Sequence, residues 1–158
     1  MKNMLYVVIG LIVLIIEIAI ANKFPIFGGT VDLLLIYTII LSRKTDVKTN
    51  FIVVVTLGFI KDILIGLKFG VNIAILVMVA MVIRFTKDKI YEYQYLYPIV
   101  MISMGTVIQC LSQAAVSAVY YNSFTIPAIM GLIVKKVLLN CAFGLLIYES
   151  TCSALDKI

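Results

Sequence analysis

Six ionisable side chains stand inside otherwise apolar runs of this sequence: Glu17, Asp32, Lys61, Asp62, Lys135 and Lys136. Carboxylates and amines move protons or pair with one another, and three acids against three bases cancel formally. At membrane depth each would cost about 3 kcal/mol on insertion scales, so the set is expected to share partners. Asp32 and Asp62 invite comparison with an aspartyl protease, which needs two carboxylates holding one proton. The three lysines argue against it, because a nearby positive charge holds a carboxylate ionised. The chain has no His and no Trp, which removes imidazole acid–base chemistry and imidazole metal ligation. Cys110, Cys141 and Cys152 show no CxxC spacing, so no disulfide framework, zinc site or redox pair is expected. No catalytic residue, metal site or cofactor is expected, and the chain reads as a non-enzyme.

The spacing of these groups fits inward-facing stripes on helices. Gly58, Asp62 and Gly66 recur at i, i+4, i+8, an acid flanked by small residues that let helices approach closely. Gly131 and Lys135 form a similar pair, Lys136, Asn140 and Gly144 a second stripe, and Gln109 and Gln113 a third. The cluster of Glu17, Asp32, Gly58, Lys61, Asp62, Gly66, Lys135, Lys136 and Asn140 has two readings. One is a polar pocket or a docking surface for a partner helix; the other is interhelical pairing that holds the fold, with Lys61 snorkelling to the surface. In either case Asp62 is expected to pair with Lys135 or Lys136.

The elements that position these groups follow from hydropathy. Of 158 residues 63% are apolar and 13% charged, and the mean hydropathy is +1.16. Soluble domains carry about 25% charged residues, so this composition excludes a soluble globule, a disordered chain and a nucleic-acid-binding module. Six apolar runs are expected as spanning helices, at residues 4–21, 24–41, 50–67, 69–85, 96–121 and 126–148. The first has the basic start and apolar centre of a signal peptide, but its length and the apolar run that follows make it a retained span. The runs are about twice the length of alternating barrel strands. The expected fold is therefore all-α: a single-domain integral membrane protein, a compact bundle of about six helices.

Orientation follows from the basic residues. With a cytoplasmic N-terminus, Lys2, Arg43, Lys44, Lys48, Arg84, Lys87, Lys89 and Lys157 fall inside, and only Lys23 and Lys68 outside. Eight against two is the positive-inside pattern, with both termini cytoplasmic. Tyr91, Tyr93, Tyr95 and Tyr97 then mark the inner interface, and Tyr120, Tyr121 and Phe124 the outer one. The basic inner loops are expected to touch anionic lipid. The six intramembrane charges lie between the outer interface and the midplane.

Three segments carry a family resemblance. PIFGGTVDLLLIYTIILSRK, a Pro and then an Asp heading a Leu-rich span, resembles the second segment of MreD, the rod shape-determining membrane protein. LGFIKDILIGLKFGVN resembles that family's most recognisable element, a Gly, an Asp-Leu/Ile pair, a Gly and a Leu-Gly turn. VKKVLLNCAFGLLIY is similar to its last helix, with Lys135 or Lys136 and Asn140 in matching places. GGTVD departs from the tighter Pro-Asp common in the family. The resemblance implies a scaffold of the bacterial cell-elongation complex in the cytoplasmic membrane. Its implied partners are membrane lipids, an MreC-like bitopic protein, a RodA-like glycosyltransferase, a class B penicillin-binding protein and the actin-like MreB, with no nucleic acid among them. MreD also resembles in fold the S components of energy-coupling-factor vitamin transporters, so a substrate-binding S component is the alternative. Such proteins present small residues at four-residue spacing on their first helix; here Ala19 and Ala21 are two apart among bulky Ile15, Ile16 and Ile18.

Overall fold

A computed structural model describes residues 2–21, 30–65, 69–87, 96–121 and 126–156. They form six helices: α1 (Lys2–Ile16), extended by a π turn over Glu17–Ala21, α2 (Leu33–Lys44), α3 (Val47–Leu64), α4 (Val71–Lys87), α5 (Leu96–Tyr121) and α6 (Ile126–Asp156). Two stretches, Leu96–Val119 and Met130–Tyr148, are long and apolar enough to cross a membrane. Asn3–Ala19 and Val71–Thr86 are shorter apolar helices.

Helix α2 is the centre of the bundle. Its residues Leu34–Ser42 are all buried, the mark of a helix that is enclosed on every side. It packs on α1, α3, α4, α5 and α6. Those five are arranged around it in the packing order α1–α3–α4–α5–α6. Leu34, Leu35, Ile39 and Ile40 of α2 meet Leu14 of α1, Val53 and Leu57 of α3, Val79 of α4 and Met101 of α5 in one core.

The helix ends have local causes. Asp32 caps α2 and Asp46 caps α3, each carboxylate accepting the backbone N–H three residues on, which satisfies a donor that a helix start leaves open. Asp46 is exposed, and the Thr49 amide and hydroxyl beside it lower its pKa below the usual 3.8. Gly70, just before α4, has φ +92°, a conformation that a residue with a Cβ rarely adopts.

Two helices depart from the expected spans. The second was expected over 24–41, yet α2 begins only at Leu33, with residues 30–32 outside any helix and 22–29 outside the described residues. Twelve residues rise about 18 Å. The apolar run marked burial here, and Asp32 marked the helix start. The sixth helix continues past 148 to Asp156, because no Gly or Pro stops it at Tyr148.

Candidate functional site

The buried start of α2 gathers polar side chains from five of the six helices. An interior helix start exposes N–H groups that water cannot reach, so side chains must satisfy them. Glu17, at the beginning of the π turn, accepts from the Leu34 amide at 2.7 Å. Asp32 accepts from the Leu35 amide at 2.9 Å, and its own amide donates to Asn140 Oδ1 of α6 at 2.9 Å.

Lys61 of α3 joins the two acids. Its ammonium lies 2.8 Å from Glu17 Oε1 and 3.1 Å from both oxygens of Asp32. From α5, Gln109 donates its amide to Asp32 Oδ2, while Thr106 accepts from Asn140 Nδ2 at 3.1 Å and donates to Ile102 O. Glu17, Asp32, Lys61, Thr106, Gln109 and Asn140 are all buried. Two carboxylates against one ammonium leave one excess negative charge. It faces the α2 N-terminus, worth about half a positive charge, and Lys136 lies within electrostatic reach of Asp32. One acceptor of the set, Gln109 Oε1, is buried without a hydrogen-bond partner among the described residues.

Asp62 belongs to a second, separate site. Its carboxylate accepts from the amides of Gly70 at 3.0 Å, Asn72 at 3.0 Å and Ile73 at 3.3 Å, and from Asn72 Nδ2 at 2.9 Å. It therefore caps α4. Gly58, one turn earlier, is the close-approach point: a Cβ there would stand 2.8 Å from Ile73 Cα. Gly66 lies outside the described residues.

These positions correct the expected pairing. Among the described residues no lysine ion-pairs with Asp62, and Lys135 is exposed and Lys136 half-buried. The expected snorkelling of Lys61 is likewise overturned, since its side chain is buried between Glu17 and Asp32. Adjacent helix positions point about 100° apart. Lys61 therefore turns toward α1 and α2 while Asp62 turns toward α4. The stripe of Gly58 and Asp62 is a contact within the chain, not an open docking face. Gly131, expected on an inward stripe, has nothing within 4 Å of a Cβ placed on it.

Thr106 and Arg43 fell outside the expected residues, whereas Gln109, expected with Gln113 on an inward stripe of α5, does turn inward. Thr106 lies three residues before Gln109 on the same helix, a polar pair within an apolar run that spacing could also have flagged. At the other end of α2, Arg43 donates to the Tyr148 hydroxyl and lies over the Tyr97 ring, 4.5 Å from its centroid. Nearby, Arg84 donates to Thr45 O at 3.0 Å, and Asn50 donates to Ser42 Oγ at 3.1 Å. These contacts tie the far end of α2 to α3, α4, α5 and α6.

Compared with family models, curated proteins and solved structures, the chain matches none.

Proposed function

We propose that this chain is a polytopic membrane protein of the bacterial cytoplasmic membrane and a non-enzymatic scaffold of the cell-elongation complex, organising lateral peptidoglycan synthesis. Its inverted polarity supports the membrane part. Glu17, Asp32 and Lys61 are buried, while Met4, Ile15, Ile63, Val119, Leu138 and Leu146 are each more than half exposed. That distribution suits a hydrocarbon solvent, where backbone breaks are tolerated only inside protein. The non-helical backbone of residues 30–32, at the buried start of α2, lies inside protein in this way. Six spans with both ends cytoplasmic follow from the basic residues.

The single observation that carries the scaffold reading is how the polar cluster uses its bonds. The carboxylates and the ammonium bind one another and the α2 start, which suits a structural knot better than a ligand site. The LGFIKDILIGLKFGVN segment, which carries the MreD resemblance, builds a helical hairpin: Gly58 admits α4, Asp62 caps it and Gly70 makes its turn. A second reading, the S component of a vitamin transporter, is favoured by one observation, the unpartnered Gln109 Oε1.

Depletion in a rod-shaped host separates the two. A scaffold should co-purify with an MreC-like bitopic protein, and its loss should round the cells. Submicromolar binding of a vitamin-sized ligand with unchanged cell shape overturns the scaffold in favour of the transporter component.

A further inference from the structure

Helix α6 is the less buried of the two long apolar spans. Its inward side carries the buried residues Asn140, Gly144 and Tyr148. Turned away from them, Gly131, Lys135, Leu138, Ala142 and Leu145 are all exposed. Their steps of four, three, four and three residues make the kind of seam along which a second helix packs. Gly131 and Ala142 are small, which lets such a helix approach closely in lipid, and a Cβ placed on Gly131 meets nothing within 4 Å.

Lys135 is the one charge on this seam. It stands thirteen residues above Tyr148, whose hydroxyl meets Arg43 at the inner end of the bundle. Such a segment rises about 20 Å. In a hydrocarbon core about 30 Å thick, Lys135 therefore lies about 10 Å short of the outer interface. A lysine stem spans about 6 Å, too little to carry the ammonium out.

The chain itself offers this ammonium no counter-charge. Of its eight acids, Glu17 and Asp32 hold Lys61, with Lys136 in reach of Asp32. Asp46 and Asp62 cap helices. By sequence, Asp88 and Glu92 follow α4 at its inner end, and Glu149 and Asp156 lie beyond Tyr148. Among the described residues nothing pairs with Lys135. A second copy would not supply the charge either, because two α6 seams meeting on a twofold axis along the membrane normal would set Lys135 beside Lys135.

We propose that the Gly131–Leu145 face of α6 is the docking surface for a transmembrane helix of a partner protein, one that carries a carboxylate level with Lys135. A wholly apolar helix would seal the ammonium into hydrocarbon without a partner. The site deepens the scaffold reading by giving the chemistry of one partner, and it rests on the membrane part of that reading.

The chain has no Trp, so a single introduced indole reports only on its own surroundings. Full-length Leu138→Trp, next to Lys135 on the seam, and Phe59→Trp, at a similar height on α3 across the bundle, are reconstituted in phosphatidylcholine vesicles. Both positions are exposed. The probe is a synthetic Leu-Ala transmembrane peptide with one Glu at its centre, within about 5 Å of the Lys135 level in either orientation. It carries a nitroxide, a short-range quencher, one turn from the Glu. A matched peptide has Gln in place of Glu. At Leu138→Trp the Glu peptide should reach half-maximal quenching at about a fivefold lower peptide-to-lipid ratio than the Gln peptide, the order of one polar contact between helices in lipid. At Phe59→Trp the two should quench alike. Lys135→Gln should abolish the preference, Lys135→Arg should keep it, and Gly131→Leu, which crowds the seam, should weaken quenching by both peptides. Equal quenching by the two peptides at Leu138→Trp overturns the proposal, and so does the same preference at Phe59→Trp. A peptide-free protein that is dimeric in detergent and becomes monomeric on Gly131→Leu also overturns it, because a second copy then covers the face. Protein that fails to float with the vesicles would reject the membrane reading and the site with it, whereas equal quenching in floating protein removes the site alone.

Discussion

Lys61→Met tests the central network most directly. Methionine keeps the length and most of the volume of the lysine stem, so the change removes charge with little change in packing. What is lost is an ammonium in contact with three carboxylate oxygens, at 2.8, 3.1 and 3.1 Å. Glu17 and Asp32 then face each other in the interior without a counter-ion. Breaking a buried pair in this way costs about 3–5 kcal/mol. Each survivor keeps a backbone amide, from Leu34 or Leu35, and the helix start offers partial positive charge, so the cost should not rise above that range. For a chain of this size it corresponds to a fall in midpoint of about 10 °C. The assay is thermal unfolding of the detergent-solubilised protein, followed by size-exclusion chromatography after heating. Adding Glu17→Gln and Asp32→Asn should recover at least half of the loss, because the neutral amides still accept from Leu34 and Leu35. Lys135→Met, at an exposed position, should lie within about 0.5 kcal/mol of the parent. A Lys61→Met protein as stable as the parent would refute the buried triad, and a collapse on Lys135→Met would show that the wrong lysine has been placed inside.

Gly58→Ala should destabilise by about 1–3 kcal/mol, because its Cβ would meet the Ile73 backbone and neither helix can yield locally; Gly131→Ala, with open space around it, should be neutral or mildly stabilising through helix propensity. Thermal midpoints of the two variants check the contrast. Asp62→Ala should cost about 1–2 kcal/mol through loss of the α4 cap, and Asp62→Lys with Lys135→Asp should recover nothing; recovery of abundance by the exchanged pair would restore the pairing that the structure replaces. Asp46, whose folded pKa is depressed, stabilises the start of α3 above the ordinary 3.8 and loses that contribution as pH falls through its lower folded value. Hydrogen exchange at the Thr49 amide should therefore quicken relative to the α3 interior only below about pH 4, and Asp46→Ala should remove the pH dependence.

Run length and stripe spacing see one helix at a time, and this decides what was legible in the sequence. The i, i+4 recurrence of Gly58 and Asp62 did mark a face that another helix approaches. Its partner turned out to be the next helix, because the short α3–α4 turn brings the Gly70, Asn72 and Ile73 amides back over Asp62. Lys61 was harder to place. It is the direct neighbour of Asp62, and nothing along α3 shows that its ammonium reaches an acid on each of two other elements.

The start of α2 was hidden for a different reason. Leu33 to Leu41 continues the apolar run of residues 24–32 without a break in hydropathy, so counting apolar residues extends the helix through Asp32. The competing signal was present: an aspartate before a leucine run, preceded by Pro25 and Gly28-Gly29, is the pattern of a helix beginning. Reading Asp32 as a cap changes what the charges are for. An interior helix start must have acceptors for its open amides, so acids from α1 and α2 belong there. Two interior acids then require a cation, and Lys61 supplies it. Glu17, Asp32 and Lys61 are in this sense consequences of starting one helix in the interior of the bundle. Asp62, the next residue along α3, meets the same need at the start of α4.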